Sequence, residues 1–315
     1  MAAGSRARGR ARGRVGRHLA APLVMVLVFG GIAGGSYLAL ERYNSPAHEG
    51  TCVASGLGTS HRYTTDRVAN AALISATAVD RGMPPRAASI ALATAYQESQ
   101  LQNIDYGDRD SLGLFQQRPS QGWGTEEQIM DPVYASNAFF DVLETYPDYT
   151  SADINDIAQQ VQRSGHPEAY RDHETEGRLY ASALTGQSGA NLLCTLDEVG
   201  ATTSPEQLRG ELARQFPRAT ESGRVTSSLD SAAGAAPQVP EGAGATALVL
   251  DPGGDETLGW SLANWAVARA ADDGVVQVSY RGRVWDRTAH GEEAGAWGSA
   301  EGGDPERVVV LVSGR

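Results

Sequence analysis

The longest hydrophobic stretch of the chain lies near its N-terminus. Residues 19–40 carry no charge and are almost entirely apolar, and about 20 such residues in a helix span the hydrocarbon core of a bilayer. They predict a transmembrane helix. Residues 1–18 contain six arginines and no acid, so the positive-inside rule predicts a basic cytoplasmic tail and a single-pass membrane protein whose bulk is extracytoplasmic. The alternative is a signal peptide cleaved near Ser45-Pro46-Ala47.

Residues 64–196 carry repeated signals of helix boundaries. Thr64-Thr65-Asp66 can cap a helix that stops at Gly82, and Pro84 and Pro85 start a second helix that runs from Arg86 to about Gln100. Further helices are predicted over residues 131–143, 154–163 and 174–184, and the run 112–119 is compatible with a helix. These signals predict a mainly α domain over residues 64–196, preceded by a stalk over residues 41–63.

The pattern changes after residue 203. Residues 204–216 predict one more capped helix, and residues 218–245, rich in Gly, Ala, Ser and Pro, predict a flexible loop. A β-α-β-β pattern follows, with strands near residues 246–250, 275–285 and 307–312 and a helix over residues 256–271. Residues 204–315 are therefore predicted to form a small α+β domain. Its four tryptophans are expected in the core, with glycan stacking as the alternative.

The charge distribution separates this chain from nucleic-acid-binding proteins. The formal net charge is −12, and outside the N-terminal tail the remaining 20 basic residues face 38 acidic ones, a net of −18. Binding of phosphates requires clustered positive charge. Nucleic acid is therefore not expected as a partner.

The two cysteines, Cys52 and Cys194, lie in the part predicted to be outside the cytoplasm, where disulfides persist. They bracket the predicted α domain, and we expect one disulfide between them. No CxxC spacing supports a thiol enzyme or a two-cysteine metal site. His166, His173 and Glu174 match no zinc-binding spacing. No metal and no cofactor is predicted.

Glu98 is the leading candidate for chemistry. It lies near the end of a predicted helix, just after the apolar run 91–96. Partial burial disfavours the charged form of a carboxyl group and raises its pKa. Cleavage of a glycosidic bond needs an acid that keeps its proton near neutral pH. Taken alone, however, an acid at a helix end is more often simply solvated.

Three further motifs follow in order. Glu98-Ser99 precedes Gly113-Leu114-Phe115-Gln116, then Met130-Asp131-Pro132, then residues 157–165 with Tyr170. Over about residues 64–185 they resemble the lysozyme-like fold of soluble lytic transglycosylases, in the branch of actinobacterial and phage-tail relatives. The chain departs from the family pattern at Phe115, where the family has Met, and at Val161-Gln162, where the common motif is Tyr-Asn.

The resemblance implies a membrane-anchored enzyme that cleaves MurNAc–GlcNAc β-1,4 bonds of peptidoglycan. Glu98 is the implied catalytic acid and then base, and the implied substrate-binding residues are Ser99, Gln116, Gln162 and Tyr170. A lytic transglycosylase needs no second carboxylate, because the muramyl C6 hydroxyl attacks internally. A hydrolase usually needs one, and Asp105, Asp108 and Asp110 are the candidates, with solvated turn residues as the alternative.

Two other functions stay open from the sequence. The same fold could bind peptidoglycan without cutting it, as a scaffold of the cell envelope. Alternatively, the predicted C-terminal domain could dock envelope proteins while the first domain acts as a spacer. Peptidoglycan and the membrane are the expected partners in the leading interpretation.

Overall fold

A computed structural model describes residues 50–56, 58–163, 168–197, 199, 203–291 and 294–314. The predicted cytoplasmic tail, transmembrane segment and first part of the stalk lie outside these residues. Within the described residues, no helix has both the length and the apolar character needed to cross a bilayer.

Helix boundaries in the first half follow the residues that predicted them. Helix α1 (Thr65–Asp80) begins after Thr64, and Pro85 occupies the first turn of helix α2 (Pro85–Ser99). Both helices are buried over most of their length. The remaining helices of this half are α3 (Glu126–Ile129), α4 (Pro132–Leu143), α5 (Ile154–Gln162) and α6 (Glu174–Leu184), with short 3₁₀ helices at Pro119–Gln121, Pro147–Thr150 and Arg171–His173.

The predicted stalk is wrong over its described residues. Strands β1 (Gly50–Gly56) and β2 (Thr59–Thr64) form a hairpin, and β3 (Leu192–Leu196) pairs with the other edge of β1, all antiparallel. Cys52 lies directly opposite Cys194 in this sheet and is joined to it by a disulfide, which confirms that prediction. The strands look like a polar stalk in sequence because only one face of so small a sheet is buried.

The predicted loop 218–245 is also corrected. It contains helix α8 (Pro217–Glu221), strand β4 (Thr226–Ser231), the short helix α9 (Ala232–Ala235) and the start of strand β5 (Ala243–Asp251). Strand β4 lies at the edge of a sheet, where most of its side chains are exposed. An edge strand of this kind needs few bulky apolar residues, so its composition resembles that of a loop.

The second half of the chain contains a six-stranded antiparallel sheet. The strand order is β4-β5-β9-β6-β7-β8. Its elements are helix α7 (Pro205–Gln215), helices α10 (Glu256–Ala268) and α11 (Ala270–Asp273), and strands β6 (Val275–Tyr280), β7 (Arg283–Asp286), β8 (Trp297–Ser299) and β9 (Val308–Ser313). The protein is thus a mixed helix-and-sheet structure with antiparallel sheets.

The two predicted domains share one hydrophobic core. Helix α10 is buried along nearly its whole length and packs against α1, α6 and β6. The Asn264 side chain donates hydrogen bonds to the carbonyls of Ala183 and Gly189, each at 2.8 Å. Residues 48–315 form one compact unit, so the predicted boundary near residue 200 does not separate two domains.

The four tryptophans of the second half contribute to this common core, as expected. All are buried, with exposures of 8% or less. The indole of Trp285 donates a hydrogen bond to the carbonyl of Cys194, and that of Trp297 donates one to the carbonyl of Leu192. Strand β3 of the first half is therefore held by side chains of the second.

Candidate functional site

Glu98 lies in the last turn of α2, at the point where this buried helix reaches the surface. Its side chain is half-buried. The helix ends in two consecutive left-handed residues, Gln100 and Leu101, with φ of 56° and 60°. Their amides bond back to the carbonyls of Tyr96 and Ala95 in a Schellman-type cap. The chain therefore turns sharply away and leaves the Glu98 side chain at the helix end.

Tyr170 is the nearest hydrogen-bonding partner of Glu98. Its hydroxyl donates to Glu98 Oε1 at 2.6 Å. The Tyr170 side chain is fully buried, and its backbone amide donates to Asn155 Oδ1 at 3.2 Å. The phenol is thus fixed by packing and by helix α5 before it reaches the carboxylate.

Gln162 links Glu98 to the Gly113–Gln116 motif. Its side-chain amide donates to the carbonyl of Phe115 at 2.8 Å, and it also hydrogen-bonds to Glu98. Phe115 is fully buried and stacks on Phe139 with ring centroids 4.6 Å apart. The residue that replaces the family's Met is therefore a core side chain, while its backbone carbonyl anchors the site.

The pKa of Glu98 is raised from its ordinary value. Burial is the main cause, because it disfavours the charged carboxylate, and hydrogen bonds from Tyr170 and Gln162 act in the opposite direction. Glu98 therefore keeps its proton to a higher pH than an exposed glutamate does. A carboxylic acid in this state can donate a proton to a leaving group. An apolar pocket raises the pKa of the general acid of lysozyme by the same physical effect.

Ser99 has a structural position in this site. Its side chain is buried, and its hydroxyl lies 2.7 Å from the carbonyl oxygen of Leu114 and 3.1 Å from that of Ala95. The hydroxyl thus joins the end of α2 to the Gly113–Gln116 motif. It shapes the site from within the protein, and substrate binding by Ser99 stays a prediction.

Gln116 holds the loop between the first two motifs. Its backbone is left-handed, with φ of 46°, and its side-chain amide donates to the carbonyl of Tyr106 at 3.2 Å. A Cβ at Gly107 would lie 1.9 Å from Gln116 Oε1 and 2.7 Å from the carbonyl oxygen of Ser111, so a larger residue there would displace both the Gln116 amide and the loop backbone. The run 112–119 is a turn with a bridge between Leu112 and Gln117, and the predicted helix there is wrong. Positive φ at Gly113 and Gln116 is incompatible with an α-helix.

The three candidate aspartates lie apart from Glu98. Asp110 accepts hydrogen bonds from Ser120 and Arg118, which hold the pKa of its carboxyl well below the usual range. The Asp108 side chain is 88% exposed, and Asp105 is also exposed. In the described part of the chain, none of the three makes a hydrogen bond or ion pair with Glu98. Asp110 fits the turn interpretation, because Arg118 and Ser120 already bond to it, and the role of second carboxylate stays a prediction for Asp105 and Asp108.

Backbone strain is concentrated in this region. Six non-glycine residues of the described chain have positive φ. Four of them adjoin the site: Gln100, Leu101, Gln116 and Arg163. Such conformations cost about 1–2 kcal/mol each in ordinary residues and cluster where function constrains the backbone. The strain supports a functional role for the end of α2 and its neighbours.

Sequence reasoning missed a second group of polar residues beside Glu98. His61, His173 and the buried Glu176 lie together near the C-terminal end of α2. The i,i+3 spacing of His173 and Glu176 on a helix was the local signal, but His61 is distant in sequence. Among the described residues, no group of three or more His, Cys, Asp or Glu is arranged to hold a metal ion.

No protein-family model matches this chain, and no curated protein sequence matches it. The resemblance to lytic transglycosylases therefore rests on the ordered motifs between Glu98 and Tyr170 and stays a prediction.

Proposed function

We propose that this protein is a membrane-anchored lytic transglycosylase that cleaves the MurNAc–GlcNAc β-1,4 bonds of peptidoglycan. The observation that carries the proposal is the half-buried Glu98, whose pKa is raised by burial and whose carboxylate is bonded to the fixed phenol of Tyr170. The ordered motifs after Glu98 and the helical surroundings of the site support a lysozyme-like fold for this part of the chain.

The site residues support a simple acid-then-base cycle. Protonated Glu98 donates its proton to the glycosidic oxygen, and the bond from that oxygen to the muramyl C1 breaks. The muramyl C6 hydroxyl then attacks C1 and gives up its proton to Glu98, which leaves a 1,6-anhydro end. While Glu98 is charged, the hydroxyl of Tyr170 and the amide of Gln162 stabilise it.

Transglycosylation is preferred to hydrolysis because it needs no second carboxylate, and one of the three candidates is already bonded within its own loop. A hydrolase with a single general acid still needs a group that activates water or stabilises the oxocarbenium ion. Asp110 is held by Arg118 and Ser120, and Asp108 points into solvent. Internal attack by the C6 hydroxyl requires neither residue.

The disulfide supports an extracytoplasmic location. Cys52 and Cys194 are joined across strands β1 and β3, and such bonds persist mainly in oxidising compartments. This agrees with the topology proposed from the arginine-rich tail and the apolar run 19–40. Peptidoglycan lies on the same side of the membrane.

A non-catalytic glycan-binding module is the second candidate. One observation favours it: the Glu98 carboxylate is already bonded inside the protein to Tyr170 and Gln162. In a binding module these bonds would simply satisfy a buried polar group. The two candidates differ in whether glycan bonds break.

The test is digestion of purified peptidoglycan by residues 44–315, which contain the whole compact unit. We expect the parent to release fragments with anhydro-muramyl ends, identified by mass spectrometry, and Glu98→Gln to release none. Glu127→Gln, which changes an exposed glutamate, is the matched control and should keep the parent's activity.

Other outcomes have definite meanings. Reducing ends in place of anhydro ends would make the protein a muramidase and return attention to the loop containing Asp105, Asp108 and Asp110. Binding of intact wall without any cleavage by the parent would overturn the enzyme proposal in favour of the binding module.

A further inference from the structure

Glu176 binds two imidazoles beside the C-terminal end of α2. His61 Nε2 lies 2.8 Å from Glu176 Oε2, and His173 Nδ1 contacts Glu176 Oε1. Glu176 is buried, whereas His61 is partly exposed. Tyr63 and Tyr180 stack beside this group with their ring centroids 4.4 Å apart. The group forms a bonded chain from strand β2 to the start of helix α6.

His173 extends this chain to α2. Its Nε2 lies 2.9 Å from Gln97 Oε1, and its ring packs at 4.6 Å from the ring of Tyr96. Its backbone amide donates to the carbonyl of Tyr170 at 3.2 Å. His173 is thus connected to the two residues before Glu98 in the sequence and to the residue that binds Glu98.

The short 3₁₀ helix Arg171–His173 explains this arrangement. Residues three apart in a 3₁₀ helix lie on the same face, so Tyr170, at its N-terminal end, and His173 both face the end of α2. Tyr170 binds Glu98 while His173 contacts Gln97, the preceding residue. The adjacent residues Gln97 and Glu98 therefore each hydrogen-bond to one end of the segment from Tyr170 to His173.

We propose that His173, held between Glu176 and Gln97, is a positioning residue that keeps the hydroxyl of Tyr170 bonded to Glu98. The significance of this arrangement for catalysis rests on the proposed function, but the arrangement itself is independent of it. The sequence motifs assign His173 no role.

The polar and titratable groups near His173, Glu176 and Glu98 are those that can affect a titration of Glu98. His173 faces Glu176 from α6 and Gln97 and Tyr96 from α2, and Glu176 also faces His61 from β2. Glu98 faces Tyr170 and Gln162. Because the Tyr170 hydroxyl favours charged Glu98, loosening that bond should leave Glu98 protonated to a higher pH.

The experiment is an NMR titration of the Glu98 carboxyl carbon in residues 44–315, with the signal assigned by its loss in Glu98→Gln. We expect His173→Ala to move the titration to higher pH, and Tyr170→Phe to move it at least as far. The double variant should match Tyr170→Phe alone, because His173 acts through the hydroxyl that Phe lacks.

Two more variants separate positioning from general loss of structure. His61→Ala removes the other imidazole that contacts Glu176. In the described part of the chain, the His61 imidazole makes no hydrogen bond to Gln97 or Tyr170, so this variant should leave the Glu98 titration unchanged. His173→Gln keeps a polar side chain able to bond to both neighbours and should restore part of the shift caused by His173→Ala.

The positioning role is overturned if His173→Ala leaves the pKa of Glu98 unchanged. It is also overturned if His173→Ala raises that pKa by the same amount in the Tyr170→Phe background as in the parent. The measurement needs no substrate. If the variants show the expected shifts but the parent releases no glycan fragments, only the proposed function is refuted. If the parent releases fragments but the variants show no shifts, only the positioning role is refuted.

Discussion

At the scale of single residues, several residues of the site occupy environments or backbone conformations that their residue types ordinarily disfavour. Glu98 is placed where its charged form is disfavoured, and Gln100, Leu101 and Gln116 adopt left-handed backbone conformations. The polar residues expected to face substrate are partly used inside the protein: Ser99 bonds to Leu114 and Gln116 to Tyr106. These side chains fix the backbone that places the carboxyl group.

Glu98→Gln should change stability in a pH-dependent way. Because the folded-state pKa of Glu98 is raised, its protonated form stabilises the fold below the pKa of an unfolded glutamate, about 4.3. This contribution is lost as pH rises through the folded-state pKa. Glutamine imitates the protonated form, so the variant should match the parent near about pH 4 and melt at a higher temperature near neutral pH.

Thermal melts across this pH range check the prediction. Glu127 provides a control of opposite sign, since hydrogen bonds from its own backbone and from Thr125 lower its pKa. Its contribution to stability is present above the unfolded pKa and is lost as pH falls. A Glu98→Gln variant that is less stable than the parent near neutral pH would contradict the assigned burial.

At the scale of elements, the helices and the apolar strands β5, β6 and β9 follow local signals, whereas the polar strands do not. Helices α1, α2, α4 and α6 begin and end within about two residues of the predicted limits, because their caps and first-turn prolines are encoded in adjacent residues. The hairpin β1–β2 and the edge strand β4 were missed. Their residues are mostly polar and only partly buried, so their composition resembles that of a loop.

The turn after α6 depends on close contact between elements. Gly186 has φ of 79°, and a Cβ there would lie 1.9 Å from the carbonyl oxygen of Thr257 at the start of α10. Gly223 has a similar φ of 73° but no atom within 4 Å of such a Cβ. Gly186→Ala should therefore lower the free energy of unfolding by about 1–3 kcal/mol more than Gly223→Ala.

Urea denaturation of both variants measures this difference directly. The two glycines share the backbone penalty, so the comparison isolates the contact between α10 and the turn. An equal loss in the free energy of unfolding for both substitutions would contradict the close contact between Gly186 and the carbonyl oxygen of Thr257.

At the scale of the whole molecule, the second half of the chain completes the core of the first. Helix α10 covers α1 and α6, and Ser261 and Asn264 bond to carbonyls at the C-terminal end of α6. Without α10 those faces would meet water. The part that resembles an enzyme domain is therefore not an independent folding unit in this structure.

Truncation tests this conclusion. Residues 44–315 should unfold in a single calorimetric transition, whereas residues 44–197 should fail to fold cooperatively because the buried faces of α1 and α6 are left exposed. Circular dichroism and calorimetry of both fragments provide the measurement. A cooperative melt of the shorter fragment would restore the two-domain description.

The amino-acid sequence was enough to predict the features that depend on neighbouring residues or on the number of residues of one type. It placed the main helices through their caps and prolines, and it left Cys52 and Cys194 only each other as an intramolecular partner. It pointed to Glu98 through the apolar run before it together with the ordered motifs after it. These features need no knowledge of distant contacts, because helix hydrogen bonds close within four residues.

The folded structure was needed to identify the contacts between residues that are distant in sequence. Tyr170 reaches Glu98 across 72 positions of the chain, and Asn264 reaches Ala183 across 81. It also brought His61 to Glu176 and merged the two predicted domains into one unit. Such contacts are selected by packing of the whole core, so a local pattern can indicate that a side chain is buried but not which side chain it meets.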